Sequence, residues 1–275
     1  MRIPSMDEIW EVAEARGANS EAPHLWEGLV CAWPMLEQGG TTIWDVSGYQ
    51  HHARTFNMDL SQSWRLRPDG PGLWGDGVND YAQAHSDYPL LRFSGAHTLL
   101  WYGDLDMTGG NDSLLIGKLG YGTARASGIQ YGPSQVMYAA WATDYNSAYH
   151  IYQTISPSSP RSNHVVATYD PSVAVRLYFD GKQIAQQNTS IPSQFFNGNG
   201  YPHTLFSRAN LPSIYLRATC LQAAMWSRAL RPSEVLELAF NPWAMYRVRP
   251  RVLVRGATLP AAKKTPIYHL TAGCA

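Results

Sequence analysis

The sequence predicts an all-β sandwich of two antiparallel sheets, with a short helix at each end and an extended C-terminal tail. Strand formers are abundant, with 16 Tyr and 10 Trp beside many Val, Leu and Ile, and 23 Gly and 18 Pro cut them into short runs. The clearest run lies in 172–185. There Val173, Val175, Leu177 and Phe179 alternate with Ala174, Arg176 and Tyr178, which is the period of a half-buried strand. Asp180-Gly181 follows, the pair that a tight hairpin with two positive φ values favours. At 275 residues the chain suits one large β domain that needs no disulfide or metal staple.

The elements follow in order. Residues 1–24 read as a helix and a polar linker. Ser5 with Glu8 has the spacing of a capping box, Asp7 and Glu8 suit the positive end of the helix dipole, and Arg16 and Gly17 suit its end. Met6, Ile9, Trp10 and Ala13 share one apolar stripe, which must dock on the chain's own domain or on a neighbouring subunit. Residues 25–240 alternate strand and turn, and Pro232–Phe240 closes them as a helix with Pro at its first position and Asn241-Pro242 as its stop. Residues 241–275 form a tail with Arg247, Arg249, Arg251, Arg255, Lys263 and Lys264 and no acid, an edge strand or an arm that pairs with another chain.

Charged residues are 15% of the chain, below the usual quarter or so. Low charge with many aromatics fits a contact surface and fits a large core. A formal net charge of +0 gives no basic footprint, so nucleic acid is not an expected partner. Cys31, Cys220 and Cys274 are too few for a disulfide framework, and the first two sit in apolar runs that predict buried thiols. The N-terminal stretch carries no uninterrupted apolar segment of the secretory kind, and no run of about 18 apolar residues predicts a membrane span.

Several blocks then run in the order of a known family. They are Gly28-Leu29-Val30 with Trp33-Pro34-Met35, and Asp45-Val46-Ser47-Gly48 with His51-His52-Ala53. Leu73–Tyr81 (LWGDGVNDY), Thr98–Tyr102, His164–Tyr169 and Leu177–Lys182 (LYFDGK) follow, and Trp226–Leu230 (WSRAL) with Glu234-Val235 closes the series. In these blocks the chain resembles the laminin G-like domains of the concanavalin A-like lectin/glucanase superfamily, over about residues 25–240. The resemblance implies a concanavalin A-like jelly roll. It also implies a calcium site, with Asp76 and Asp80 as candidates. However, the stretch Ala218–Ala224 lacks the acid that many relatives carry there. No other cofactor is expected. A second likeness is carried by Asn241–Arg247 (NPWAMYR), which is similar to the ending of many phage and prophage virion-associated proteins.

Catalysis is not expected. Retaining glycoside hydrolysis needs two carboxyl groups roughly 5 Å apart, and the chain has no Glu between Glu37 and Glu234. Asp104 and Asp106 are the nearest pair and read as a solvated turn. His51 and His52 are adjacent, so on a strand they face opposite ways and make a poor metal pair.

Two classes of function remain. The first is a phage virion structural protein, capsid-decorating or otherwise on the surface, which is made in the host cytoplasm and is a homo-oligomer joined to capsid or other virion subunits. Its candidate assembly contacts are Met6, Ile9, Trp10, Trp243, Tyr246, Arg247, Arg249, Arg251 and Arg255. The second is a lectin-like module that binds glycans through aromatic faces, with Trp44, Tyr49, Trp64, Tyr145 and Tyr149 as candidates.

Overall fold

Turn residues divide the chain as the pattern predicts. The structure is a computed structural model, and it describes residues 2–105, 113–118, 126–132, 135–142, 148–155, 162–196, 200–208 and 211–250. In chain order the strands are Leu29–Trp33 (β1), Thr42–Ile43 (β2), Ala53–Phe56 (β3), Trp64–Arg67 (β4), Gly70–Asp76 (β5), Tyr81–Ala84 (β6), His97–Leu105 (β7), Ser113–Gly117 (β8) and Ser127–Gly132 (β9). Val136–Ala142 (β10), Ala148–Thr154 (β11), Asn163–Asp170 (β12), Ala174–Phe179 (β13), Lys182–Gln187 (β14), Thr204–Leu205 (β15), Ser207–Arg208 (β16), Leu211–Tyr215 (β17) and Arg217–Trp226 (β18) follow. The helices are Met6–Glu14 (α1), Leu60–Ser63 (α2) and Pro232–Phe240 (α3), with short 3-10 turns at Pro23–Trp26 and Ala244–Tyr246.

Among the described residues two eight-stranded antiparallel sheets face each other, forming a jelly-roll sandwich. The first runs β14-β13-β12-β7-β18-β5-β4. β1 also pairs with β18 there, so β5 and β1 occupy successive stretches of one edge of that long strand. The second runs β11-β10-β9-β8-β15-β6-β3-β2. Trp33, Trp101, Trp141, Leu177 and Met225 fill the space between the sheets.

A second apolar core lies on the other face of the first sheet, under α1, α3 and the residues after α3. This layer explains why β13 departs from the half-buried pattern. Val175 and Leu177 face the other sheet, while Tyr178 on the opposite side is buried in the second layer. The hairpin itself follows its sequence signal, with φ of 48° at Asp180 and 78° at Gly181.

The same layer corrects the reading of both ends. α1 buries Ile9, Val12 and Ala13 on the chain's own sandwich, while Met6 flanks this face and Trp10 projects into solvent. The Ser5 hydroxyl caps the helix by accepting the Glu8 amide at 3.2 Å. The Glu8 carboxylate does not return that contact. It pairs with Arg2 and accepts the Val248 amide at 2.9 Å. Arg16 lies past the last helical turn at φ 46°, and Gly17 at φ 75° faces the Trp26 indole so closely that a Cβ would lie 1.9 Å from it.

The tail begins later than the composition implies. Trp243, Met245 and Tyr246 are buried among Trp26, Leu221 and Trp226. The indole of Trp26 donates to the Met245 carbonyl at 2.6 Å, and that of Trp243 to the Asp69 carbonyl at 3.0 Å. Residues 19–21 and 247–249 form a short ribbon, in which the Glu21 amide donates to the Arg247 carbonyl at 2.9 Å and the Arg249 amide to the Asn19 carbonyl at 2.7 Å. Residues 241–250 thus belong to the domain, and the stretch with Arg251 and Arg255 lies outside the described residues.

Candidate functional site

Asp45 organises the loop that carries the site. Its buried carboxylate accepts from the amides of Ala32 (2.8 Å), Ser47 (2.9 Å) and His51 (2.8 Å) and from the Ser47 hydroxyl (2.8 Å). One side chain thereby ties residues 45–51 to β1. His51 completes the tie by donating from Nδ1 to the Val30 carbonyl at 2.7 Å, while its own carbonyl accepts the Trp33 indole at 2.9 Å. His51 therefore faces inward as a loop anchor. His52 lies on the other side, where its Nδ1 accepts the Asp45 amide at 3.0 Å. That bond requires an unprotonated Nδ1, and burial lowers the His52 pKa from its usual value.

The fixed loop turns two rings outward. Trp44 and Tyr49 are each 43% exposed. Trp44 is braced by its amide, which donates to the Glu37 carboxylate at 2.7 Å, and by the edge of His52, with ring centroids 4.8 Å apart. Burial pushes the Glu37 pKa up to about 7. Tyr49 stacks on His51 at 5.8 Å.

Opposite this loop, α1 presents Met6, Trp10, Ala13 and Glu14. Together with Trp44, Asp45, Gly48, Gln50 and His52 they line an open groove of about 530 Å³. Two solvent-facing indoles from separate elements thus meet at one hollow whose walls are mostly apolar. Gln50, His52 and Glu14 supply its polar groups. A smaller hollow of about 340 Å³ lies on the second sheet between Thr42, Arg54, Phe56, Gln83 and His85. The rings of His52 and His85, 6.3 Å apart, stand between the two.

The other candidates separate. Trp64 packs against the main core, and its indole donates to the Gly40 carbonyl at 3.0 Å, so it is a wall of the sandwich. Tyr145 lies outside the described residues, as do Asp106 and Cys274. Tyr149 pairs with Trp141 in β11, and its side chain is likewise outside them. Cys31 and Cys220 are buried free thiols. Asp104 pairs with Arg67.

Asp76 and Asp80 hold a turn. Asp76 Oδ1 accepts the Val78 amide at 2.7 Å and the Asn79 amide at 3.2 Å, while Asp80 accepts the Asp76 amide at 3.2 Å. Burial, then the charge of Asp76, raises Asp80 to about 6. Among the described residues no group of three or more His, Cys, Asp or Glu side chains gathers to hold a metal ion.

Of the assembly candidates, Ile9, Trp243 and Tyr246 are buried inside the domain, which removes them from any surface contact. Arg247 pairs with Glu21 beside the terminal ribbon, and Arg249 is exposed. Met6 and Trp10 line the groove. Glu14, Gln50 and His52 were not legible as groove residues, although Trp10 and Glu14 do stand at helical i and i+4, the one signal that places them on a common face.

The fold is thus a two-sheet jelly roll with an aromatic groove between α1 and the Asp45 loop. The model of the concanavalin A-like lectin/glucanases superfamily, laminin G type, matches residues 76–236, more than half of the chain, and the chain belongs to this family. No curated protein sequence matches it. Among solved structures the fold is similar to the binding domain of Paraclostridial mosquitocidal protein 1, with 15% identity, a TM-score of 0.59 and coverage of 77% of this chain and 52% of that one. It is similar to the binding domain of botulinum neurotoxin DC bound to rat synaptotagmin II, with 11% identity, a TM-score of 0.58 and coverage of 78% and 51%. It is also similar to Trypanosoma rangeli sialidase in complex with sialic acid, with 18% identity, a TM-score of 0.57 and coverage of 79% and 33%. The chain thus spans about half of each toxin binding domain and a third of the sialidase. No helix among the described residues is long and apolar enough to cross a membrane.

Proposed function

We propose that the chain is a non-catalytic carbohydrate-binding module that holds a sugar ring in the groove between α1 and the Asp45 loop. The observation that carries this reading is the pair of exposed indoles, Trp10 and Trp44, flanking one hollow on a frame fixed by buried hydrogen bonds. Flat aromatic faces pack on the C–H faces of pyranoses, and a few polar groups then set orientation. Gln50 and Glu14 supply them here. The similar structures support the same class, since a botulinum neurotoxin DC binding domain was also solved with a sialyl ligand. The non-catalytic part rests on the groove's acids. Asp45 is consumed by its four donors, which leaves Glu14 without a second free carboxylate among the described residues of the groove. A glycan array probed with the full chain and with Trp44→Ala tests the reading. Binding by the parent that the variant loses supports it, and an array blank for the parent overturns it.

A second reading is a virion component, oligomeric and joined to capsid or other virion subunits. It is supported by α3, which turns Leu236 and Phe240, one helical turn apart, outward at 45% and 81% exposure. Mass spectrometry of gradient-purified particles tests it. A fixed ratio to the major capsid protein supports it, and absence from particles removes it.

A further inference from the structure

The charge of the groove is one-sided. Its two charged lining residues, Glu14 and Asp45, are both acids. Asp45 faces its loop and is saturated with donors. Glu14 is exposed on the last turn of α1 and, among the described residues, has no hydrogen-bond or ion-pair partner. A third acid, Glu37, accepts the Trp44 amide at 2.7 Å but is not part of the lining, and burial favours its neutral form. Among the described residues no lysine or arginine lines the hollow, and the histidine that does, His52, already has its Nδ1 occupied as an acceptor.

We infer that this groove takes neutral and ammonium-bearing pyranoses, such as N-acetylated and de-N-acetylated amino sugars, and rejects sialylated and uronic-acid glycans. The inference rests on the proposal that the groove binds sugar. A carboxylate on the ligand meets the charge of Glu14, and among the described residues no cation lines the groove to receive it. An ammonium group instead meets a free carboxylate and the faces of two indoles, which attract cations through their quadrupoles. The sialyl ligands of the similar structures do not carry over. Every residue of the groove precedes residue 76, where the family match begins, and the likeness to those structures is one of fold.

The test titrates the full chain, and Trp44→Ala in parallel, with three probes: chitosan tetrasaccharide, N-acetylchitotetraose and sialyllactose. Only binding that Trp44→Ala removes is counted. The expected order is chitosan tetrasaccharide first, N-acetylchitotetraose second, and sialyllactose weaker than either by about tenfold or more, roughly one RT ln 10 step. In Glu14→Gln the ratio between the cationic and the neutral probe falls toward one, and in Glu14→Lys sialyllactose gains. Trp44-dependent binding in which sialyllactose equals or exceeds the other two overturns the inference while leaving sugar binding intact. Loss of all Trp44-dependent binding, here and across the array, overturns the underlying reading instead.

Discussion

The two terminal nitrogens of Arg228 each lie 2.9 Å from a carboxylate oxygen of Glu234, a two-pronged pair across the turn between β18 and α3. Arg228 also donates to the Glu27 carbonyl at 2.6 Å and the His24 carbonyl at 3.1 Å, so one guanidinium joins the start of the sandwich to its end. Glu234 in turn accepts the Arg231 amide at 2.7 Å, capping α3. The family block WSRAL with its following Glu is therefore a structural clasp.

Removing one partner of this clasp takes from a largely buried charge its two-pronged partner, with only the exposed Arg231 still pairing with Glu234 when Arg228 is lost. Glu234→Gln is expected to cost about 3 kcal/mol in urea unfolding, and Arg228→Ala a similar amount. A change under about 1 kcal/mol in both would show that the pair is screened and that the clasp is apolar packing. The carboxyl is buried, yet its bonds to Arg228 and Arg231 hold its pKa down at about 2. With the folded value below the unfolded one, its contribution is complete above about pH 4.5 and is lost as pH falls toward 2.

Much of this fold was legible because strands, hairpin and α3 depend on local chemistry. Asp180-Gly181 demands its turn, and Pro232 its helix start. The helical layer over the first sheet was not legible. Nothing near Tyr178 in sequence reveals that it joins an apolar layer with Ile9 of α1, Val235 of α3 and Trp243, because these residues come from distant parts of the chain. The same blindness hid the site. Trp44 and Tyr49 were readable as exposed rings beside turn residues, but Glu14 and Gln50 became groove residues only when α1 docked beside the Asp45 loop. Trp243 and Tyr246 misled in the opposite sense, since aromatics in a basic, acid-free stretch read as contact residues and are core.

Acid sensitivity is expected well above the range of Glu234. His97, His164 and His203 are buried, and burial lowers their pKa values from 6.5 to about 4, about 3 and about 3. His97 is fixed in its neutral form, with Nδ1 donating to the Gly95 carbonyl at 2.8 Å and Nε2 accepting the Trp141 indole at 3.2 Å. The unfolded chain binds protons below about pH 6.5 that the folded chain refuses. These three histidines therefore contribute stability that is full above that pH and falls beneath it by about 1.4 kcal/mol per pH unit each, while Glu37 and Asp80, raised to about 7 and about 6, oppose part of that fall. Urea midpoints measured between neutrality and mild acid check this. His164→Phe should remove about 1.4 kcal/mol per pH unit of the acid-side loss relative to the parent, and a variant whose slope matches the parent's would sink the account.

Trp10→Ala and Trp44→Ala separate binding from folding. Both rings keep more than half of their surface covered, so each substitution is expected to cost about 1–2 kcal/mol with the fold intact. Each should weaken groove-dependent sugar binding by about tenfold, the loss of one stacking face. Tyr49→Ala, whose ring stacks on His51 outside the groove lining, should leave sugar affinity within about twofold. Isothermal titration beside thermal melts checks all three, and a Trp44→Ala protein with undiminished affinity would move the site elsewhere.

The stretch after α3 provides the sharpest test of where the domain ends. Trp243 is fully buried and its indole is satisfied by the Asp69 carbonyl, so Trp243→Ala opens a large cavity under α1 and is expected to cost about 3–5 kcal/mol. Tyr246→Phe keeps the ring and deletes only its hydroxyl, which accepts the buried Gln222 side-chain amide at 3.0 Å. The remaining neighbour of that amide is the Met245 sulfur at 3.8 Å, a poor acceptor, so the expected cost is about 1–2 kcal/mol with the fold intact. Arg249→Ala, an exposed side chain three residues on, should change stability by less than about 0.5 kcal/mol. Chemical unfolding of the three variants distinguishes the possibilities directly. A steep fall in cost between 243 and 249 places the boundary after the terminal ribbon, whereas small effects at all three positions would make the whole stretch from 241 onward an arm free of the sandwich.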